Sequence, residues 1–212
     1  MKERSPILIL LAGPNGSGKT TFARLLLQHQ WGQQCRVCNA DALAESLGSW
    51  NDPVCIAKAQ SMVQEQMQTA LAAKEDIIYE TVFSHPSKLE LIRQARALGY
   101  FVRLFFICTD SPRINVSRVA KRFASGGHDV PGDKVTNRYH RSLRYGAQAM
   151  RLVQRGYLFD NSIEAVDEQY QFHPVFRTIA GCQTKIYIPV EEMPASYRFF
   201  LEDFQCALSE EM

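Results

Sequence analysis

Residues 6–21 read Pro6-Ile7-Leu8-Ile9-Leu10-Leu11-Ala12-Gly13-Pro14-Asn15-Gly16-Ser17-Gly18-Lys19-Thr20-Thr21. The stretch from Ile7 to Ala12 is an unbroken apolar run closed by a glycine, the pattern of a strand buried on both faces. Gly13 to Thr20 then match G-x-x-x-x-G-K-[ST] at every position, and Phe22, Ala23, Leu25, Leu26 and Leu27 give the next segment a broad apolar helical face. Strand, glycine-rich loop and helix in this order are what phosphate binding by a backbone loop requires. Glycines let the chain wrap a phosphate with its N–H groups inward, and the helix N-terminus adds partial positive charge. Nucleotide binding is expected of Gly13, Pro14, Asn15, Gly16, Ser17, Gly18, Lys19, Thr20 and Thr21. Lys19 is expected to reach the β and γ phosphates and the Thr20 hydroxyl to ligate Mg2+.

Outward from this segment the pattern alternates. Strands are expected at 36–40, 76–80, 101–108 and 157–160, and helices at 53–73, 86–98, 112–124 and 131–155. Breaks fall at Gly99 and at Ser125-Gly126-Gly127. The tail is expected to add an edge strand at 183–190 and an amphipathic helix at 195–208. The fold class is therefore α/β: a P-loop NTPase or kinase-like, doubly wound parallel sheet of about five strands, with a helical lid at about 113–155. With 212 residues, 46% hydrophobic and 22% charged, the chain 1–212 fits one kinase-like domain and excludes disordered, collagenous and coiled-coil classes.

The apolar run from Ile7 is far shorter than the roughly 20 residues of a membrane span. It follows Lys2 and Arg4, as a signal peptide would, but leads into Gly13-Pro14-Asn15-Gly16 and not a small-residue cleavage site. Six scattered cysteines, Cys35-x-x-Cys38 among them, make no disulfide framework and no zinc pattern, so a reduced, cytoplasmic setting is expected, with no membrane partner. Net charge is +2, but the segment 113–155 holds ten Lys or Arg against two acids, leaving an acidic remainder. An anionic ligand is expected near that segment.

The class of P-loop protein is narrowed by what is missing. The sequence has no L-S-G-G-Q transporter signature, Ser125-Gly126-Gly127 being followed by His128, and no N-K-x-D for reading guanine. Small-molecule kinases remain, and these need a group for the acceptor hydroxyl, a metal-side carboxylate and cations for the transferring phosphoryl group. Asn39-Ala40-Asp41 follows the second strand at the carboxyl edge, where open α/β sheets bind ligands. Asp41 reads either as the acceptor base or as the N-cap of a short helix. Glu80-Thr81 ends the third strand at the same edge with Ser84 just beyond; Glu80 reads as a ligand group or as a solvated strand end. Arg118 and Arg122 share a helix face ahead of the glycines, as do Arg138, Arg141, Ser142 and Tyr145 on the next helix. His128 reads as a proton shuttle or a turn residue.

The ordered set Gly13 to Thr21, Asn39-Ala40-Asp41, Glu80-Thr81, Arg118-x-x-x-Arg122, Gly126-Gly127-His128-Asp129-Val130-Pro131 and Arg138-Tyr139-x-Arg141-Ser142 resembles the zeta toxin family of P-loop kinases, over about residues 7–162. It looks like the compact bacterial branch often labelled predicted ABC-type ATPase, and lacks the longer substrate-side insertions of the toxin branch. The resemblance implies a kinase sheet with a helical lid, and characterised members phosphorylate UDP-N-acetylglucosamine with ATP and Mg2+. It implies Asp41 as catalytic base, Lys19 as a phosphate-binding cation, Glu80 and Thr81 in the sugar-contact region, and Arg118 and Arg122 as lid arginines. Catalytic roles are thus expected of Asp41, Lys19, Arg118 and Arg122, and substrate contacts of Asn39, Glu80, Thr81, Ser84, His128, Arg138 and Arg141. It also brings an antitoxin protein into view as a partner. The expected activity is ATP-dependent (or GTP-dependent) transfer to a hydroxyl of a small molecule. An ATPase regulatory module and a nucleic-acid 5′-hydroxyl kinase are the alternatives. The basic segment has no run of aromatics for stacking bases, which disfavours the latter.

Overall fold

The computed structural model describes residues 4–48, 52–126, 130–163 and 171–209. Its centre is the expected apolar run, β1 (Ile7–Ala12), in which Leu8 to Ala12 are fully buried. Alternate residues of β1 serve two cores: Leu8, Leu10 and Ala12 face one layer, Ile9 and Leu11 the other. The sheet order is β2 (Arg36–Asn39), β3 (Ile77–Thr81), β1, β4 (Phe101–Cys108), β5 (Arg155–Asp160), β6 (His173–Ile179) and β7 (Cys182–Ile186). β2, β3, β4 and β5 run parallel with β1, which confirms the α/β class and the five parallel strands.

Helices cover both faces. α1 (Lys19–Gln28) packs Ala23 and Leu26 onto the face of Ile9 and Leu11. The larger layer is filled from α3 (Pro53–Ala72), α4 (Ser87–Ala97), α6 (Gly132–Leu152) and α7 (Ala195–Ser209). α2 (Ala40–Ser46) lies between β2 and α3. Among the described residues, no helix is long and apolar enough to cross a membrane.

Two expectations are corrected. Among the described residues the sheet has seven strands and not about five, because β6 and β7 add an antiparallel hairpin at the β5 edge. Its turn is Ala180-Gly181, with φ of 50° and 78°, a left-handed pair that hides in the sequence because alanine rarely adopts it. The edge strand expected at 183–190 is thus Cys182–Ile186, followed by a single 3-10 turn at Val190–Glu192. α6 ends at Leu152 and β5 begins at Arg155, so the expected helix to 155 and strand from 157 both shift.

The expected lid segment is a helical pair, α5 (Pro112–Ala124) and α6, whose apolar residues are shared between two clusters. Val116, Val119, Val130 and Val135 make a small cluster of their own, whereas Tyr139, Leu143, Ala147 and Met150 belong to the main core. Gly146 is pressed so close to Phe106 that an added Cβ would lie 2.3 Å from its ring. The basic segment is divided accordingly: Arg122 and Arg138 act on Lys19, Arg144 acts on Asp203 of α7, and Arg155 lies beside Arg103 across β4 and β5.

Candidate active site

The loop between β1 and α1 takes its shape from three glycines. Gly13, Gly16 and Gly18 have φ of 144°, 74° and 97°, values that L side chains rarely adopt. A Cβ on Gly13 would sit 2.0 Å from the Ile107 carbonyl oxygen, and one on Gly18 would sit 2.3 Å from Asn161 Nδ2. Gly18→Ala is therefore expected to cost about 1–3 kcal/mol, a fall in Tm on the order of 2–10 °C, measured by thermal unfolding without ligand. An unchanged Tm would mean that the loop does not hold this conformation in solution.

Lys19 opens α1 and is only 8% exposed; its Nζ donates to the Pro14 carbonyl at 2.9 Å. Burial holds the ammonium pKa below the ordinary lysine value, the neighbouring Glu80 and Asp41 carboxylates oppose that fall, and Arg122 and Arg138 reinforce it. These four side chains are therefore electrostatic neighbours of Lys19. The next residue, Thr20, donates its hydroxyl to Glu80 Oε1 at 2.7 Å. Thr21 continues the helix, half-buried.

The carboxyl edge of the sheet supplies the facing groups. Register places Asn39 of β2 opposite Glu80 of β3, and Glu80 opposite Leu11 of β1, so both polar residues emerge next to the loop. Asn39 Nδ2 donates to Glu80 Oε2 at 2.8 Å, and Glu80 is thus held between Asn39 and Thr20 instead of standing as a solvated strand end. Asn39 is also the N-cap of α2, its Oδ1 accepting from the N–H of Asp41 at 2.9 Å and of Ala42 at 3.2 Å. That removes the capping reading of Asp41, which lies in the first turn with its side chain exposed.

These groups open onto a cleft of about 570 Å³ lined by Asn15, Lys19, Asn39, Asp41, Glu80, Thr81, Ser84 and Arg138. The cleft is also lined by Met67, Tyr79, Lys88 and Leu91 and, from α3, by Gln60, Gln64 and Gln68. Sequence reasoning missed this wall, although the glutamines recur every fourth residue of α3 as a polar stripe. Lys88 donates to the Tyr79 hydroxyl at 2.6 Å.

Other expected site residues are placed less directly. Arg138 is half-buried, with Nη1 3.4 Å from Asn15 Oδ1. Arg118 is not brought to the phosphate loop: its guanidinium donates to the carbonyls of Asn161 (2.7 Å), Ser162 and Ile163 (both 3.3 Å) at the exit of β5. Thr81 Oγ1 accepts from the N–H of Phe83 at 3.3 Å. Arg141 is exposed and is not part of the cleft wall. His128 lies outside the described residues.

The zeta toxin family model matches residues 1–175. The chain belongs to the zeta toxin family. Over 131 residues it is 28% identical to an uncharacterized protein of Haemophilus influenzae, which spans 62% of this chain and 91% of that one. A structure of the PezAT chromosomal toxin-antitoxin system of Streptococcus pneumoniae aligns with a TM-score of 0.60 at 16% identity, over 99% of this chain and 88% of the other. The AvrRxo1-ORF1:-ORF2 complex with ATP aligns at 0.58 and 18% identity, over 94% of this chain and 64% of the other. At such identities the likeness is one of fold, and the zeta toxin fold is that of P-loop kinases.

Proposed function

We propose that the protein is a kinase that transfers the γ-phosphoryl group of ATP to a hydroxyl group of a small molecule, acting as one unit. The observation that carries this reading is the convergence of Lys19, Asp41, Asn39 and Glu80, the last bonded to Thr20, on one cleft large enough for a metabolite. ATP as donor draws support from the AvrRxo1 complex with ATP, and an antitoxin partner from the PezAT toxin-antitoxin system. UDP-N-acetylglucosamine is the first acceptor to test, because characterised members of the family phosphorylate it.

In this mechanism the loop amides and Lys19 hold the β and γ phosphates and offset the charge that develops on them. Asp41 accepts the proton of the acceptor hydroxyl while the acceptor oxygen bonds to the γ phosphorus. The bond from that phosphorus to the bridging oxygen breaks, and ADP departs. Arg122 and Arg138 add positive charge on the transferring side. Thr20 and Glu80 present hard oxygen donors 2.7 Å apart, a fit for Mg2+, which would neutralise phosphate charge there. Glu80→Gln removes the carboxylate charge and sets an amide against the Asn39 amide. It is expected to raise the Mg2+ concentration for half-maximal activity by on the order of tenfold, read from a metal titration at saturating ATP. No change in the metal requirement would remove Glu80 from the metal side.

The test of the function is incubation with ATP, Mg2+ and UDP-N-acetylglucosamine, followed by phosphorus NMR. A new phosphomonoester resonance growing in step with ADP is expected from a kinase using this acceptor. ADP growing in step with inorganic phosphate, acceptor unchanged, would instead fit an ATPase module.

A further inference from the structure

Two buried asparagines from separate elements grip the outer side of the phosphate loop. Asn115 of α5 is fully buried and donates Nδ2 to the Asn15 carbonyl at 2.6 Å. Asn161, at the exit of β5 and 7% exposed, donates Nδ2 to the Ser17 carbonyl at 2.8 Å. Each is itself held. The Thr109 hydroxyl donates to Asn115 Oδ1, which fixes which end of the amide faces the loop. The Asn161 backbone donates to the Cys108 carbonyl at 2.8 Å and accepts from Arg118 Nη1 at 2.7 Å.

The carbonyl of one residue and the N–H of the next belong to the same planar trans peptide and point in opposite directions. A donor that fixes the Asn15 carbonyl outward therefore turns the Gly16 N–H inward, and one on the Ser17 carbonyl does the same for the Gly18 N–H. The Pro14 carbonyl is already taken by Lys19 Nζ and by the Ser17 N–H. The two glycines also make the grip sterically possible: a Cβ on Gly16 would lie 2.9 Å from the Asn115 carbonyl oxygen, and one on Gly18 2.3 Å from Asn161 Nδ2.

We propose that Asn115 and Asn161 are positioning residues that pre-aim the Gly16 and Gly18 amides at the nucleotide phosphates, so that the loop binds without first reorganising. The inference rests on the phosphate-binding reading of the loop. It assigns each asparagine to one peptide, which a general packing role would not. It also gives Arg118 a part: by holding the Asn161 carbonyl it braces the second clamp from behind.

The test uses the 15N-labelled full chain without nucleotide, as wild type, Asn115→Asp and Asn161→Asp. Both substitutions keep the shape of the side chain and remove the donor. Asn115→Asp is expected to lower the backbone order parameter of Gly16 from the rigid level of about 0.85 to below about 0.6 and leave Gly18 rigid; Asn161→Asp is expected to do the reverse. Affinity for a non-hydrolysable ATP analogue with Mg2+ is expected to fall about tenfold in each. Glycine order parameters unchanged in both variants, or lowered together in each, would overturn the inference. Should a carboxylate against a carbonyl prevent folding, the wild type still decides. Slow solvent exchange of the Asn115 and Asn161 side-chain amide protons is expected, and free-asparagine rates would overturn the clamp. A wild type with rigid glycines that binds no nucleotide would remove the kinase reading and leave the clamp standing.

Discussion

Lys19→Ala is expected to abolish phosphoryl transfer, by on the order of 10³-fold or more, without unfolding the protein. The ammonium is buried at the mouth of a loop built from backbone amides, where its charge acts in a weakly screened setting on any phosphate that enters. Its pKa also predicts the stability of the substituted protein. Because burial lowers the folded-state value, the unfolded chain binds the proton more readily, and the buried charge costs stability at neutral pH. Stability without ligand should therefore rise as pH climbs from the lowered folded value towards the ordinary lysine value of 10.5. Lys19→Met should lose that rise and melt no lower than wild type at neutral pH. Thermal unfolding across this pH window, paired with ATP-analogue binding, checks both halves; wild-type turnover in Lys19→Ala would refute the phosphate role.

Asp41→Asn is expected to separate binding from chemistry. Asn39, and not Asp41, supplies the side-chain oxygen that caps α2, so the substitution leaves that cap whole and Tm unchanged. The side chain keeps its size at the cleft and loses its negative charge and its ability to take a proton. Phosphoryl transfer should fall by a factor on the order of 10²–10⁴, the worth of a positioned base, with affinity for ATP unaltered. Single-turnover transfer measures this directly. A variant within about threefold of wild type would hand the role of the base to Glu80, whose Oε1 and Oε2 are engaged by Thr20 and Asn39.

The legible parts of this protein are those where local pattern and tertiary use coincide. The run Ile7 to Ala12 is apolar on both faces because two helical layers bury it, and its glycine-rich exit is forced by contacts no side chain could share. Glu80 and Asp41 were placed at one sheet edge by strand order alone. What escaped the sequence depends on partners distant along the chain. Asn115 reads as an ordinary polar residue in a helix until its amide is seen on the Asn15 carbonyl, and Asn161 as a turn residue after a strand. The β6–β7 hairpin escaped because its turn is carried by Ala180, a residue without left-handed preference. The long helix after Pro131 shows its charge in the sequence, but charge on one face says nothing about the opposite face, where Tyr139, Leu143 and Met150 join the main core.

The central claim, transfer of a phosphoryl group rather than hydrolysis, is tested most directly by a mass-spectrometric screen of a metabolite extract incubated with ATP, Mg2+ and either wild type or Lys19→Ala. The account predicts that one compound gains the mass of a phosphoryl group with wild type alone, in an amount matched by ADP. ADP accumulating at the same rate with and without extract, with no compound gaining that mass, would contradict it.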